Sequence, residues 1–169
     1  MKAIGFTWGI GGVLLLLCFA VYRLTPMALA LEHIQLSLLH WCALVFSVVY
    51  MAYAEGYKGF HMGFAPRVVS RANYLRNNPK LSHILLAPLF CMGYNYATRK
   101  RKFLSIGLTL MIVCFILLAR LLPQPWRGIV DAGVVVGLTI GIASILYFLG
   151  VVRKNPELLS LSPEVPVDS

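Results

Sequence analysis

Long apolar runs constrain this sequence more than any motif does. Four segments approach or exceed the ~20 apolar residues that a helix needs to cross the hydrocarbon core of a bilayer. They are residues 4–22, 34–54, 103–122 and 128–152. Hydrophobic residues make up 59% of the 169-residue chain, whereas soluble domains average about 45–50%. We therefore predict an all-α integral membrane protein with four transmembrane helices, forming a single domain over residues 1–152.

The two ends of the chain differ in character. The first apolar run follows Lys2, and the segment 28–30 resembles a signal-peptidase site. The run is longer than the ~7–15 residues usual in a signal peptide, and the candidate site lies well past its end, so an uncleaved span is favoured. The segment 153–169 contains three prolines and scattered acidic residues. It is typical of a disordered tail.

Most of the charge lies between the second and third spans, in residues 55–102, which we predict to be a cytoplasmic loop. Three glycines among aromatic residues follow Glu55, so we expect the helix to fray or turn there. After Pro66 the sequence has two faces at helical spacing. One face is Val68, Ala72 and Leu75, and the other is Arg67, Arg71 and Tyr74. This pattern predicts an amphipathic helix lying on the membrane surface.

The segment 81–98 decides the topology. Its apolar part, 84–97, is interrupted by Pro88, and stretches of ~10–14 apolar residues are more often re-entrant or interfacial than spanning. If it does not span, 12 of the 15 lysine and arginine residues lie on one side of the membrane, and if it spans the split is 8 to 7. The positive-inside rule favours the first arrangement. We therefore expect a multi-pass protein of a bacterial inner membrane with both termini in the cytoplasm.

Small residues mark two helix faces as packing surfaces. The fourth span contains two overlapping GxxxG motifs, and the first span has glycines spaced by four and three residues, which allow another backbone to approach closely. These residues are Gly133, Gly137, Gly141, Gly5, Gly9 and Gly12. We expect the two faces to pack against each other, with a second copy of the protein as the alternative partner.

Asp131 follows Arg127 by four residues at the start of the fourth span. A carboxylate inside a span is by default a functional candidate. Because residues four apart on a helix can pair, we expect a structural ion pair instead.

Metal and cofactor sites are not expected. His33 and His40 share a helix face, but two axial haem ligands must lie on opposite sides of the ring. The four cysteines have no CxxC spacing and read as buried apolar residues.

No motif ties the chain to a named family. The first functional hypothesis is a non-enzymatic subunit, assembly factor or scaffold whose basic loop engages anionic lipid or a partner protein, with a homo-oligomer as one form of it. Nucleic acid is not expected, because basic residues beside spans serve membrane orientation and attract anionic headgroups.

The alternative is an enzyme or carrier for a phosphorylated lipid or another membrane-soluble anion. Glu55 would be its catalytic base at the cytoplasmic end of the second span. The candidate lipid-binding or anion-binding residues are Lys58, Arg67, Arg71, Arg99, Lys100, Arg101 and Lys102. In the simpler interpretation Glu55 pairs with Lys58 and the arginines extend to headgroups.

Overall fold

The computed structural model describes residues 2–77, 81–94 and 98–154. Within these ranges the chain is helical apart from short connections and contains no β-strand, so the prediction of an all-α protein is confirmed. The helices are α1 (Lys2–Leu29), a 3₁₀ turn (Ala30–His33), α2 (Leu38–Met51), a π-helical segment (Ala52–Phe64), α3 (Ala65–Asn77), α4 (Leu81–Leu85), α5 (Ala87–Met92), α6 (Arg99–Leu121) and α7 (Trp126–Lys154). The predicted disordered tail lies, from residue 155 onward, outside the described residues.

Three helical segments are long and apolar enough to cross a membrane. They are Ile4–His33, Leu38–Asn77 and Trp126–Lys154. This composition fits a multi-pass membrane protein. The predicted third span corresponds to α6, whose apolar part, Ser105–Leu121, is shorter than these three segments.

The ends of the three long segments lie together at two levels of the fold. At one end Gly128 of α7 packs against Leu31, which follows α1, and the rings of His40 and Trp126 lie 5.1 Å apart. We call this the Trp126 end. At the other end Gly5 of α1 packs against Leu75 of α3, and we call this the Gly5 end. The segment Leu38–Asn77 therefore runs parallel to α7, and α1 runs antiparallel to both.

The segment after Glu55 differs from the prediction. The helix does not end there: α2 continues through the π-helical segment into α3 as one long helix, Leu38–Asn77. A helical glycine costs about 1 kcal/mol relative to alanine in water. In an apolar environment an unpaired backbone group costs several kcal/mol, so the helix persists, with the wider i→i+5 hydrogen bonding.

The helix α3 is not a surface helix in this structure. The predicted apolar face is present, because Val68, Ala72 and Leu75 are at most 1% exposed. It forms the protein core with residues of α1, α5 and α7, however, and so does not rest on lipid. Periodicity identified the buried face correctly, but the face is covered by protein.

The helices α4 and α5 pack beside the first half of α1. A Cβ added to Gly9 would lie 2.7 Å from Cys91 Sγ, and one added to Gly12 would overlap Pro88. The pair ends at Gly93, whose positive φ of 87° suits glycine. Two helices this short cannot each cross a bilayer core of about 30 Å. The glycine face of α1 therefore packs against α4 and α5. The prediction that it packs against the glycine face of α7 is wrong.

Candidate functional site: a polar seam between the long helix and α7

The glycine face of α7 packs against the long helix. A Cβ added to Gly133 would lie 2.5 Å from Ser47 Oγ and 2.9 Å from the Ser47 carbonyl oxygen, and one added to Gly141 would lie 2.7 Å from the Phe60 ring. Such distances are shorter than those of real Cβ contacts. The glycines thus allow the two backbones to approach closely within one chain.

Four polar side chains lie along this contact, and we call them the polar seam: Ser47, Glu55 and His61 on the long helix and Ser144 on α7. The Ser47 hydroxyl donates to the carbonyl oxygen of Ile129 at 3.0 Å. His61 Nδ1 lies 3.1 Å from Ser144 Oγ. The Ser144 hydroxyl also lies 2.8 Å from the carbonyl oxygen of Ile140, to which it donates. Polar groups of this kind hold helices together where water is scarce.

Glu55 lies in the middle of the seam and not at a helix end. Its Oε2 would be 3.1 Å from a Cβ on Gly137. The next residue, Gly56, is buried against Ile140, the midpoint of α7. No hydrogen bond or ion pair reaches Glu55 within the part of the chain that the structure describes. A carboxyl group in a π-helical segment is notable because such segments are frequent at functional sites.

Lys58 does not pair with Glu55. Its Nζ lies over the Tyr53 ring, 5.1 Å from the centroid, and the Tyr53 and Tyr57 rings are stacked at 6.2 Å. All three side chains are exposed: Tyr53 is 55% exposed, Tyr57 is 49% exposed, and Lys58 is exposed. We call them the tyrosine–lysine face. The structure thus presents a cation and two phenols on an outer surface beside the midpoint of α7.

Asp131 lies close to Arg127, as the spacing predicted. Its Oδ2 is 3.8 Å from Arg127 Nε. The same oxygen is buried and has no hydrogen-bond partner among the described residues. Asp131 is six residues before Gly137 and lies on a different side of α7 from the seam glycines, because six residues turn a helix by about 240° from its starting direction. It belongs to an ion pair outside the seam.

The basic residues proposed to bind anions do not form one surface. Arg71 is 2% exposed. Its Nε donates to the Phe90 carbonyl oxygen at 2.6 Å, and its guanidinium stacks on the Phe90 ring at 4.5 Å. Arg71 therefore fastens the end of α5 to α3.

The other basic candidates lie nearer the surface. Arg67 is half-buried on α3, and Arg99 and Lys102 are exposed at the start of α6. The side chains of Lys100 and Arg101 lie outside the described part of the chain.

No metal site is visible in the described ranges, where no three histidine, cysteine or acidic side chains lie close enough to share an ion. His40 instead contacts Ser37 Oγ through Nδ1 at 2.8 Å in a capping box at the start of α2.

Sequence reasoning missed Ser47 and His61 as parts of a site. The signal was present: Ser47, Met51 and Glu55 are spaced by four residues, as one face of an α-helix requires. It could not be followed further, because the π-helical turn shifts the face to Phe60 and His61.

Comparison with known proteins finds no match for the chain among protein-family models, curated proteins or solved structures.

Proposed function

We propose that the protein is a four-span subunit of a bacterial inner membrane that binds a second membrane protein and carries out no chemistry of its own. In this arrangement α1, the long helix, α6 and α7 are the spans, and α4 with α5 is the re-entrant segment. With Lys58 left out, because the structure places it beside the midpoint of α7, the remaining basic residues are distributed 11 to 3, which favours both termini in the cytoplasm. The Gly5 end is then the cytoplasmic end.

This proposal is based on the tyrosine–lysine face, which is exposed beside the midpoint of α7. Lys58 lies between Gly56, which contacts Ile140, and Phe60, which contacts Gly141. At 1.5 Å per residue, Ile140 is about 20 Å from either end of α7. A bilayer core is about 30 Å thick, so Lys58 lies near its centre, and its four-carbon stem is too short to reach a headgroup.

An exposed cation at this depth is costly. Insertion scales give about 2.5–3.5 kcal/mol for a lysine at the centre of a span, and charged residues there almost always face protein or a water-filled cavity. We infer that a helix of another membrane protein covers the tyrosine–lysine face. Charge complementarity indicates a partner helix with a carboxylate for Lys58 and with acceptors for the two phenol hydroxyls.

Photo-crosslinking in native membranes tests the proposal. A benzophenone amino acid is placed at Tyr57, and the matched control carries it at Tyr22, an exposed tyrosine on α1. We expect a discrete crosslinked protein from position 57 and none from position 22. Lys58→Met should reduce recovery of the same protein after purification in mild detergent, because it removes the charge that the partner neutralises.

If position 57 crosslinks only to lipid, or if both positions capture the same proteins equally, the proposal is wrong. A second copy of this chain at position 57 would identify the partner as a homo-oligomer.

The basic residues at the Gly5 end support an additional contact with anionic lipid. Arg99 and Lys102 are exposed where α6 begins, and anionic headgroups attract each such residue by about 1 kcal/mol. Replacing both by alanine should weaken binding to anionic liposomes in a salt-dependent manner. Arg71 does not belong to this surface, because its side chain is buried.

The second candidate function is a carrier or enzyme for a membrane-soluble anion. The position of Glu55 within the seam favours it, since intramembrane carboxyl groups often mark transport paths. A phospholipid or isoprenoid phosphate that copurifies in place of a protein would support this function.

A further inference from the structure

We propose that Glu55 is a proton-binding site inside the membrane, located where the π-helical segment meets α7. The ligand is a proton that the carboxyl group binds and releases. This role goes beyond the proposed docking function and does not depend on it.

The fold leaves space for the Glu55 side chain beside α7. Glu55 is one of several residues of the long helix that lie against glycines of α7. Met51 lies near Gly133, Glu55 near Gly137 and Phe60 near Gly141. Any side chain at residue 137 would crowd the carboxyl oxygen, so glycine there makes room for it.

Among the described residues, no charged group pairs with Glu55. On the long helix, Lys58 turns outward to Tyr53, and His61 contacts Ser144. On α7, Gly137 lies against Glu55, and Ile140 contacts the neighbouring Gly56; neither residue is ionisable. Asp131 is held beside Arg127 on another side of α7.

An unpaired carboxylate is expensive in this environment, whereas a neutral carboxylic acid is not. Glu55 therefore exchanges between the carboxylate, which needs a counter-charge, and the neutral carboxylic acid, which does not. The side chain is only partly buried within the protein, so an apolar reagent dissolved in the bilayer can reach it. His61, on the next turns of the same helix, is the nearest ionisable group of the seam on the Gly5 side.

Dicyclohexylcarbodiimide tests this proposal on the full chain in native membranes. This apolar reagent adds the O–H of a carboxylic acid across one of its C=N bonds, and the O-acylisourea rearranges to a stable N-acylurea. Peptide mapping then locates the modified residue. We expect modification at Glu55 to exceed that at Glu32, an exposed glutamate at the Trp126 end, by about tenfold or more.

The modification should decrease as the pH of the medium rises, because the reaction consumes the acid form. Glu55→Gln should abolish the adduct. Gly137→Ala should reduce it severalfold, since the new Cβ would lie 3.1 Å from Oε2. Gly150→Ala is the matched control, with nothing within 4 Å of the added Cβ, and should leave the adduct unchanged.

Modification of Glu55 that does not exceed that of Glu32, or that does not depend on pH, would overturn the proposal. Protection of Glu55 by sodium or potassium ions at constant pH would also overturn it, since the ligand would then be a metal cation. The crosslinks from Tyr57 report on docking alone, so the two proposals can fail separately.

Discussion

Replacing Gly133 by alanine tests the close contact between α7 and the long helix. The added Cβ would lie 2.5 Å from Ser47 Oγ, 2.9 Å from the Ser47 carbonyl oxygen and 3.0 Å from Met51 Cγ. A serine hydroxyl can rotate away, but the carbonyl oxygen belongs to the backbone, so the helices must separate. Overpacking of this kind typically costs about 1–3 kcal/mol.

The matched control is Gly150→Ala on the same helix, whose Cβ would meet nothing within 4 Å. Alanine stabilises a helix by up to about 1 kcal/mol relative to glycine, so this variant should be as stable as the parent protein or more stable.

Thermal unfolding in one mild detergent measures both variants. At roughly 2–4 °C per kcal/mol for a chain of this size, Gly133→Ala should lower Tm by about 2–12 °C. The Tm of Gly150→Ala should stay the same or rise. The hydrogen bond from Ser47 to the Ile129 carbonyl oxygen lies in the same contact, and its weakening would add to the loss. If Gly133→Ala behaved like Gly150→Ala, the glycine face would be open and the packing described above would be incorrect.

Three further predictions concern other parts of the fold. Arg71→Ala should cost about 1–3 kcal/mol of stability, because it removes a hydrogen bond from a charged group to the Phe90 carbonyl oxygen, which would keep the Gly93 N–H as a donor; an unchanged Tm would show that this hydrogen bond is dispensable. Burial raises the pKa of Cys91 to about 12, so its thiol should stay unreactive toward maleimide at mildly alkaline pH until the protein is denatured. Cys42 is exposed in the structure and should react in detergent; equal rates for the two thiols would contradict the burial of α5. In a cysteine-free background, an impermeant reagent on intact cells should label a cysteine placed at Gln124 and leave one at Asn77 unlabelled; labelling at Asn77 from outside would reverse the orientation.

Local sequence features determined the helical segments and their faces. Long apolar runs predicted the helices, because in a bilayer a continuous helix satisfies every backbone hydrogen bond within one segment. Spacings of three and four residues identified the glycine faces, the apolar face at Val68 and Leu75, and the closeness of Arg127 to Asp131. Each of these depends on residues that are neighbours on one helix, so a single sequence contains the information.

Only the tertiary structure decided what those faces meet. The sequence pattern paired the glycines of the first and fourth spans. In the folded chain α4 and α5 pack against the glycine face around Gly9, whereas the long helix packs against the glycine face around Gly137. A periodic pattern shows that a face is buried, but it does not identify the distant segment that covers it.

The position of Glu55 was decided in the same way. The three glycines that follow Glu55 indicated a break in the helix, since glycine lowers helix propensity where water can replace the backbone hydrogen bonds. Packed along α7, the helix instead continues as a π-helix through Phe64. Glu55 thereby moves from an expected helix end to the middle of a helix contact, because the surroundings of a residue, and not its own propensity, determine whether a helix stops.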